Sequence, residues 1–106
     1  MKYMIIKLYD PKCLDDLMLA LTAHDVRHAV VLDGRAVGSA LMQEMPLFAG
    51  FRVDLDEPRG AMKVILALVQ SDETARAIRD DLKDAGIDLS DPAIAKVFLL
   101  PIEELT

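Results

Sequence analysis

The apolar and polar positions of this chain follow the same order in each half. An apolar run comes first, an amphipathic stretch follows, and a second apolar run completes the half. These runs predict strands at residues 3–9, 28–32, 62–69 and 95–102, with helices at 11–24 and 72–85. The resulting β-α-β-β-α-β order predicts a ferredoxin-like α+β sandwich, in which an antiparallel sheet carries two helices on one face.

Local signals mark the ends of both predicted helices. Asp10 followed by Pro11 is a helix start, because the carboxylate can accept from free backbone N–H groups and proline needs no partner there. Gly86 is the expected left-handed stop of the second helix. In that helix the apolar stripe is separated from charged positions that include Arg76 and Arg79.

Two predicted strands are apolar on both faces. In the strand at 62–69 the two alternating sets are Val64, Leu66 and Leu68, and Ile65, Ala67 and Val69. Two helices cover only one face of a sheet, so the other face needs a second cover. We expect another copy of the chain to supply it in a closed homo-oligomer. A simple enrichment of central strands in β-branched residues is the alternative.

Composition limits the choice of class and partner. The 106 residues fit one domain, residues 1–106, and the net charge of −6 comes without any basic cluster. Nucleic acid is therefore not an expected partner. No apolar stretch reaches the roughly 20 residues that span a bilayer, the N-terminus does not resemble a signal peptide, and Cys13 is the only cysteine. We expect a cytoplasmic protein without membrane insertion.

The connection at 33–61 is longer than a routine turn, since loops beyond about 12–15 residues are uncommon and usually functional or disordered. Alternation at 51–55 predicts a hairpin with the strand at 62–69, which leaves 33–50 as the free part. This part is more apolar than a solvated loop, and it is either a flap packed within the oligomer or a docking segment for a partner protein. Its candidate partner-binding residues are Leu41, Met42, Met45, Leu47 and Phe48.

Candidate catalytic chemistry is sparse, and we predict no catalytic residue and no enzyme. The helix dipole could lower the pKa of Cys13 in the first helical turn, although a buried structural thiol is the simpler interpretation. His24 and His28 are four residues apart, but the first helix is predicted to end between them. They then lack the shared helical face that a metal pair needs, so we predict no metal site.

The two ends of the chain carry a family resemblance. Residues 95–105 read AKVFLLPIEEL and resemble the last strand and following segment of the nitrogen-regulatory PII family, whose usual form is Gly-Lys-Ile-Phe-Val, then Pro, an aliphatic residue and two acids. The opening strand YMII at 3–6 and the helical LDDL at 14–17 are also similar. The resemblance covers most of the chain outside 33–60.

The resemblance implies a homotrimer with its sheets facing inward and an adenine nucleotide bound in clefts between subunits. It implies that Lys96 meets phosphate and that Gly34 or Gly38, with Arg35 between them, lies at the base of the long loop. Of the family's glycine-rich turn before the last strand, only Gly86 is present. The chain therefore resembles a divergent, PII-like regulatory protein that binds a small anionic ligand and signals to a partner protein through the loop at 33–50.

Two other functions stay open at this point. The first is a protein-interaction module that binds no small ligand and acts through the apolar loop. The second is a metal-binding trimer of the same fold, similar to the CutA family, with Cys13, His24 and His28 as its candidate ligands. A small enzyme whose active site forms only between subunits is a third, weaker alternative.

Overall fold

A computed structural model describes residues 1–39 and 60–106. The four strands form one antiparallel sheet in the order β2-β3-β1-β4. The strands are β1 (Lys2–Leu8), β2 (Val30–Arg35), β3 (Ala61–Val69) and β4 (Ala95–Pro101), and the helices are α1 (Leu14–Ala23) and α2 (Asp72–Asp84). A 3-10 turn, Pro11–Cys13, leads into α1. The predicted ferredoxin-like α+β fold is confirmed. No helix within the described ranges has the length and apolar character needed to cross a bilayer.

The helix ends have the predicted local causes. The Asp10 carboxylate accepts from the Lys12 backbone N–H at 3.0 Å, and Ser71 Oγ accepts from the Thr74 N–H at 3.3 Å. Gly86 has a φ of +90°, which L side chains rarely adopt, and it follows the end of α2. Asp10 therefore caps the 3-10 turn that leads into α1, and Ser71 caps α2 itself. Helix α2 ends where the glycine permits a left-handed turn.

Strand β2 lies later in the sequence than predicted. His28 has a φ of +62°, so the chain turns there, and the strand runs from Val30 to Arg35 rather than over 28–32. Asp33 lies opposite Lys63 in the β2–β3 register, and the two side chains form an ion pair. The predicted loop at 33–61 was therefore wrong at its start, because this cross-strand pair keeps Asp33, Gly34 and Arg35 in the sheet.

The predicted hairpin between 51–55 and the third strand stays a prediction. Strand β3 pairs with β2 over Ala61–Leu66 and with β1 over Lys63–Val69. Both of its edges are therefore occupied over most of its length, and residues 51–55 lie outside the described residues.

The hydrophobic core lies between the helices and one face of the sheet. Ile6, Leu17, Ile65 and Ile78 are each 0% exposed in this layer. Full burial of such side chains contributes roughly 1.5–3 kcal/mol each relative to leaving them in water. The core also includes Met4, Leu8, Leu21, Ala67, Val69, Ala75, Leu82, Ile87, Leu89 and Ala95.

Candidate functional site

The face of the sheet opposite the helices is largely apolar, and we call it the open face. Side chains alternate along each strand, so the positions between the core residues point to this face. Leu32, Phe98 and Leu100 are 48%, 43% and 44% exposed. The open face consists of Tyr3, Ile5 and Lys7 on β1, Val30 and Leu32 on β2, Val64, Leu66 and Leu68 on β3, and Lys96, Phe98 and Leu100 on β4.

The strand register joins apolar side chains of the open face into a row. Val30 lies opposite Leu66, Leu66 opposite Ile5, and Ile5 opposite Phe98, so the row crosses all four strands. Three strand spacings of about 4.8 Å make it about 14 Å wide. Helices α1 and α2 pack on the other side of the sheet. Such a band on a sheet face is typical of a protein interface.

Two lysines adjoin this row on the open face. Lys7 and Lys96 lie directly opposite each other in the β1–β4 register. The Lys96 ammonium nitrogen is 5.9 Å from the centroid of the Phe98 ring, which places it over the apolar band. Two ammonium groups on one face of the sheet can donate charge-assisted hydrogen bonds to a carboxylate or phosphate. The register therefore makes this edge of the sheet a candidate anion site.

The base of the long connection is fixed by close backbone contacts. The Ala36 N–H donates to the Gly60 carbonyl oxygen at 2.7 Å. A Cβ added at Gly60 would lie 2.7 Å from Ser39 Oγ, and one added at Gly34 would lie 3.0 Å from Val64 Cγ2. Glycine at position 60 therefore lets the two ends of the connection approach each other.

A cavity of about 390 Å³ lies beside this loop base. Gly34 and Arg35 line it together with Tyr9 and Met62. Tyr9, Met62 and Ala36 also form a small buried cluster separate from the main core. The sequence pattern did not predict that these three residues cluster at the loop base. For Tyr9, the one relevant signal was its position at the end of the first predicted strand.

One chain brings some of the predicted ligand-binding residues together and leaves others apart. Gly34 and Arg35 lie on β2 and line the same cavity. Gly38 follows them by three residues in the sequence and is buried. Lys96 lies on β4, the opposite edge strand, about 14 Å across the sheet. Gly86 is exposed beyond α2 and lines none of the described cavities. The predicted partner-binding residues Leu41, Met42, Met45, Leu47 and Phe48 lie outside the described residues.

Carboxylates organise the turn before β4. Asp88 Oδ1 accepts from the Ser90 hydroxyl at 2.5 Å and from the Ser90 N–H at 3.0 Å. These hydrogen bonds lower the pKa of the Asp88 carboxyl below its ordinary value of 3.8. Asp91 Oδ1 accepts from the Ala93 N–H at 2.9 Å. The backbone N–H groups of Ser90 and Ala93 are thus occupied by side chains of the turn itself.

Cys13 is a buried structural thiol. It is 8% exposed, and burial, followed by the nearby charges of Asp10 and Asp16, raises its pKa above the ordinary 9.0. The lowering by the helix dipole suggested from the sequence was therefore wrong, whereas the interpretation as a structural thiol is confirmed. A raised pKa disfavours the thiolate, which is the nucleophilic form.

The histidines do not join Cys13 in a metal site. His24 Nε2 lies 2.5 Å from Asp81 Oδ2 and so ties the end of α1 to α2. Cys13 precedes the other end of α1, about 15 Å away for a helix of this length. Within residues 1–39 and 60–106, no three His, Cys, Asp or Glu side chains form a group that could hold a metal ion.

Comparisons of the sequence with protein-family models and with curated proteins gave no match. The fold and its exposed surfaces define a ferredoxin-like domain with an apolar sheet face that residues 1–39 and 60–106 leave uncovered, a lysine pair at one edge and a loop base at the other.

Proposed function

We propose that this chain is a non-enzymatic, PII-like regulatory protein that forms a homotrimer and binds a small anionic ligand between subunits. An adenine nucleotide is the first candidate ligand, and the segment at 33–50 is the candidate signalling loop. One observation carries the proposal: the open face is apolar across all four strands and has the lysine pair on its β4 edge.

The arrangement of the two edges favours a site shared between copies. Leu8 pairs with both Lys63 and Ala95, so the loop base on β2 and the lysine pair on β1 and β4 lie toward the same end of the sheet. A cyclic assembly repeats one heterologous contact, in which one edge of a subunit meets a different edge of the next. Such a ring would bring Lys96 of one copy close to Gly34 and Arg35 of its neighbour, while the open faces turn inward.

The chemistry of these edges favours an anion. Lysine supplies a compact positive charge, and backbone N–H groups near glycine can approach a phosphate or carboxylate. The loop ends are joined by the hydrogen bond between Ala36 and Gly60, so a ligand at this base would act on the whole connection. The ligand would shift the loop between states only by its difference in affinity for those states.

Thermal unfolding with ATP, ADP and AMP tests the ligand directly. A ligand at about 100 times its dissociation constant stabilises the native state by roughly 2.7 kcal/mol, which raises the midpoint by several degrees. We expect Lys96→Ala to remove this shift without changing the native mass. Lys83→Ala, which changes an exposed lysine on α2, is the matched control and should keep the shift. An unchanged shift in Lys96→Ala, or no shift with any nucleotide, would contradict the proposed ligand site.

The open face also favours a second candidate, a protein-interaction module that binds no small ligand. In that case a different protein would cover the apolar band, and the chain alone would remain a monomer. Three results together would support this alternative. The wild-type mass is that of a monomer, nucleotides do not shift the unfolding midpoint, and Phe98→Glu abolishes binding to a purified partner protein.

A further inference from the structure

A second cavity lies on the other side of the sheet, between α2 and β4. Its volume is about 520 Å³, within the range of small-molecule sites. Buried Met4 and Leu89 contribute to its lining, together with half-buried Val97 and with Leu99, which is exposed. The cavity therefore offers an apolar surface that water can reach.

The charged side chains that line this cavity are all positive. Arg76 and Arg79 are three residues apart on α2, which places them next to each other on one helix face. No Asp or Glu lines the cavity among the described residues, although the whole chain has a net charge of −6. The local charge is thus opposite to that of the protein.

The two guanidinium groups keep donors for a ligand. Arg79 Nε donates to the adjacent Asp80 at 3.1 Å, which occupies one of its N–H groups. Arg76 forms no hydrogen bond or ion pair with the residues that the structure describes. Lys96 borders the cavity, but its ammonium lies over Phe98 on the open face, so the two arginines supply the positive charge here.

We propose that this cavity binds an amphipathic anion, with a carboxylate or phosphate held by Arg76 and Arg79 and an apolar body against Leu89 and Leu99. Arginine presents a planar fork of donors that matches either anion. A neutral apolar ligand would leave both guanidinium groups unused, and a small inorganic anion would gain nothing from the apolar wall. Lys96 borders this cavity and also belongs to the proposed nucleotide site, so Arg76 and Arg79 are the residues that distinguish the two sites.

Octanoate and 1-octanol are a matched pair of probes, because they share the chain length and differ in the head group. The probes are titrated into protein whose leucine and valine methyl groups carry an isotope label, and the methyl signals are followed by NMR. These signals distinguish the two sides of the sheet. We expect octanoate to shift the signals of Leu89 and Leu99 and to leave Leu66 and Leu68 on the open face unchanged. The carboxylate should improve affinity at least about tenfold over 1-octanol, as expected for charge-assisted hydrogen bonds.

The double variant Arg76→Gln/Arg79→Gln should lose this tenfold preference and keep the weak binding of 1-octanol. Arg27→Gln is the matched control, since Arg27 is exposed and pairs with Asp25 away from the cavity. Any of four outcomes would overturn the proposal. The two probes bind with equal affinity, their signal shifts are confined to Leu66 and Leu68, neither probe binds, or the double variant keeps the preference for octanoate. None of these outcomes depends on the nucleotide titration.

Discussion

The two faces of the sheet are built from the same strands and differ in how one chain covers them. On the helix side Ile6 and Ile65 are 0% exposed, whereas Phe98 and Leu100 on the open face are 43% and 44% exposed. Both faces are apolar, so hydrophobicity alone does not distinguish them. The difference teaches that the face packed against α1 and α2 determines the fold. The face that the described residues leave exposed is where assembly and function should be sought.

The largest expected effect compares neighbouring isoleucines on the two faces of β1. Ile6→Ala removes a fully buried side chain and should lower the free energy of unfolding by about 2–5 kcal/mol. Ile5 lies on the open face. If other copies cover that face, as we propose, Ile5→Ala should destabilise the protein in a concentration-dependent way. Urea unfolding at several protein concentrations checks both. A concentration-independent effect of Ile5→Ala would contradict the proposed interface.

The next effect concerns the base of the long connection. Gly60→Ala should lower the free energy of unfolding by roughly 1–3 kcal/mol, because the added methyl would lie 2.7 Å from Ser39 Oγ and 2.9 Å from Ser39 Cβ. Adding Ser39→Gly removes both contacts and should restore part of the stability. If the double variant loses as much free energy of unfolding as Gly60→Ala alone, contact with Ser39 is not the cause of the destabilisation.

The alkylation rate of the Cys13 thiol tests the burial of the core between the helices and the sheet. Burial raises its pKa, so native protein should react with iodoacetamide at pH 8 much more slowly than protein unfolded in urea. The thiol is favoured in the folded state, so its contribution to stability is complete below the ordinary pKa of 9.0 and is lost as pH rises above it. Equal alkylation rates in native and unfolded protein would place Cys13 outside the core.

The smallest effect lies in the turn before β4. The folded state lowers the pKa of Asp88, so its stabilising contribution is present above the ordinary 3.8 and is lost as pH falls through the lower, folded value. Asp88→Asn should therefore shift the urea midpoint slightly downward at pH 7, and the difference from wild type should shrink toward pH 2. A difference that is constant over this range would assign the effect to something other than the carboxylate charge.

Much of the fold was predictable because its signals are local. Asp10 and Gly86 marked helix ends through their own backbone chemistry, and alternating apolar positions located the strands. Strand β2 was misplaced because Asp33-Gly34 reads as a turn, and the ion pair with Lys63 that keeps it in the sheet joins residues 30 positions apart. Contacts of that kind depend on register, which the sequence pattern does not specify at a mixed polar site.

The candidate sites were less predictable than the fold. Arg76 and Arg79 were read as ordinary charged positions of a helix, because the cavity beside them exists only after α2 packs near β4. The sequence indicated Lys96 through family resemblance, but its position opposite Lys7 follows from the strand register. The sites therefore arise from tertiary placement of residues that look unremarkable along the chain.

Sedimentation equilibrium of the wild type and Phe98→Glu tests the central claim most directly. Phe98 is already 43% exposed in one chain, so the substitution should leave the monomer folded while placing a charge in the apolar band. Leu19→Glu, at a 68% exposed position on α1, is the matched control. We predict a wild-type and Leu19→Glu mass of three times the 11.7 kDa chain, and a mass of 11.7 kDa for Phe98→Glu. A wild-type mass of 11.7 kDa at every concentration, or a trimer that survives Phe98→Glu, would contradict the account.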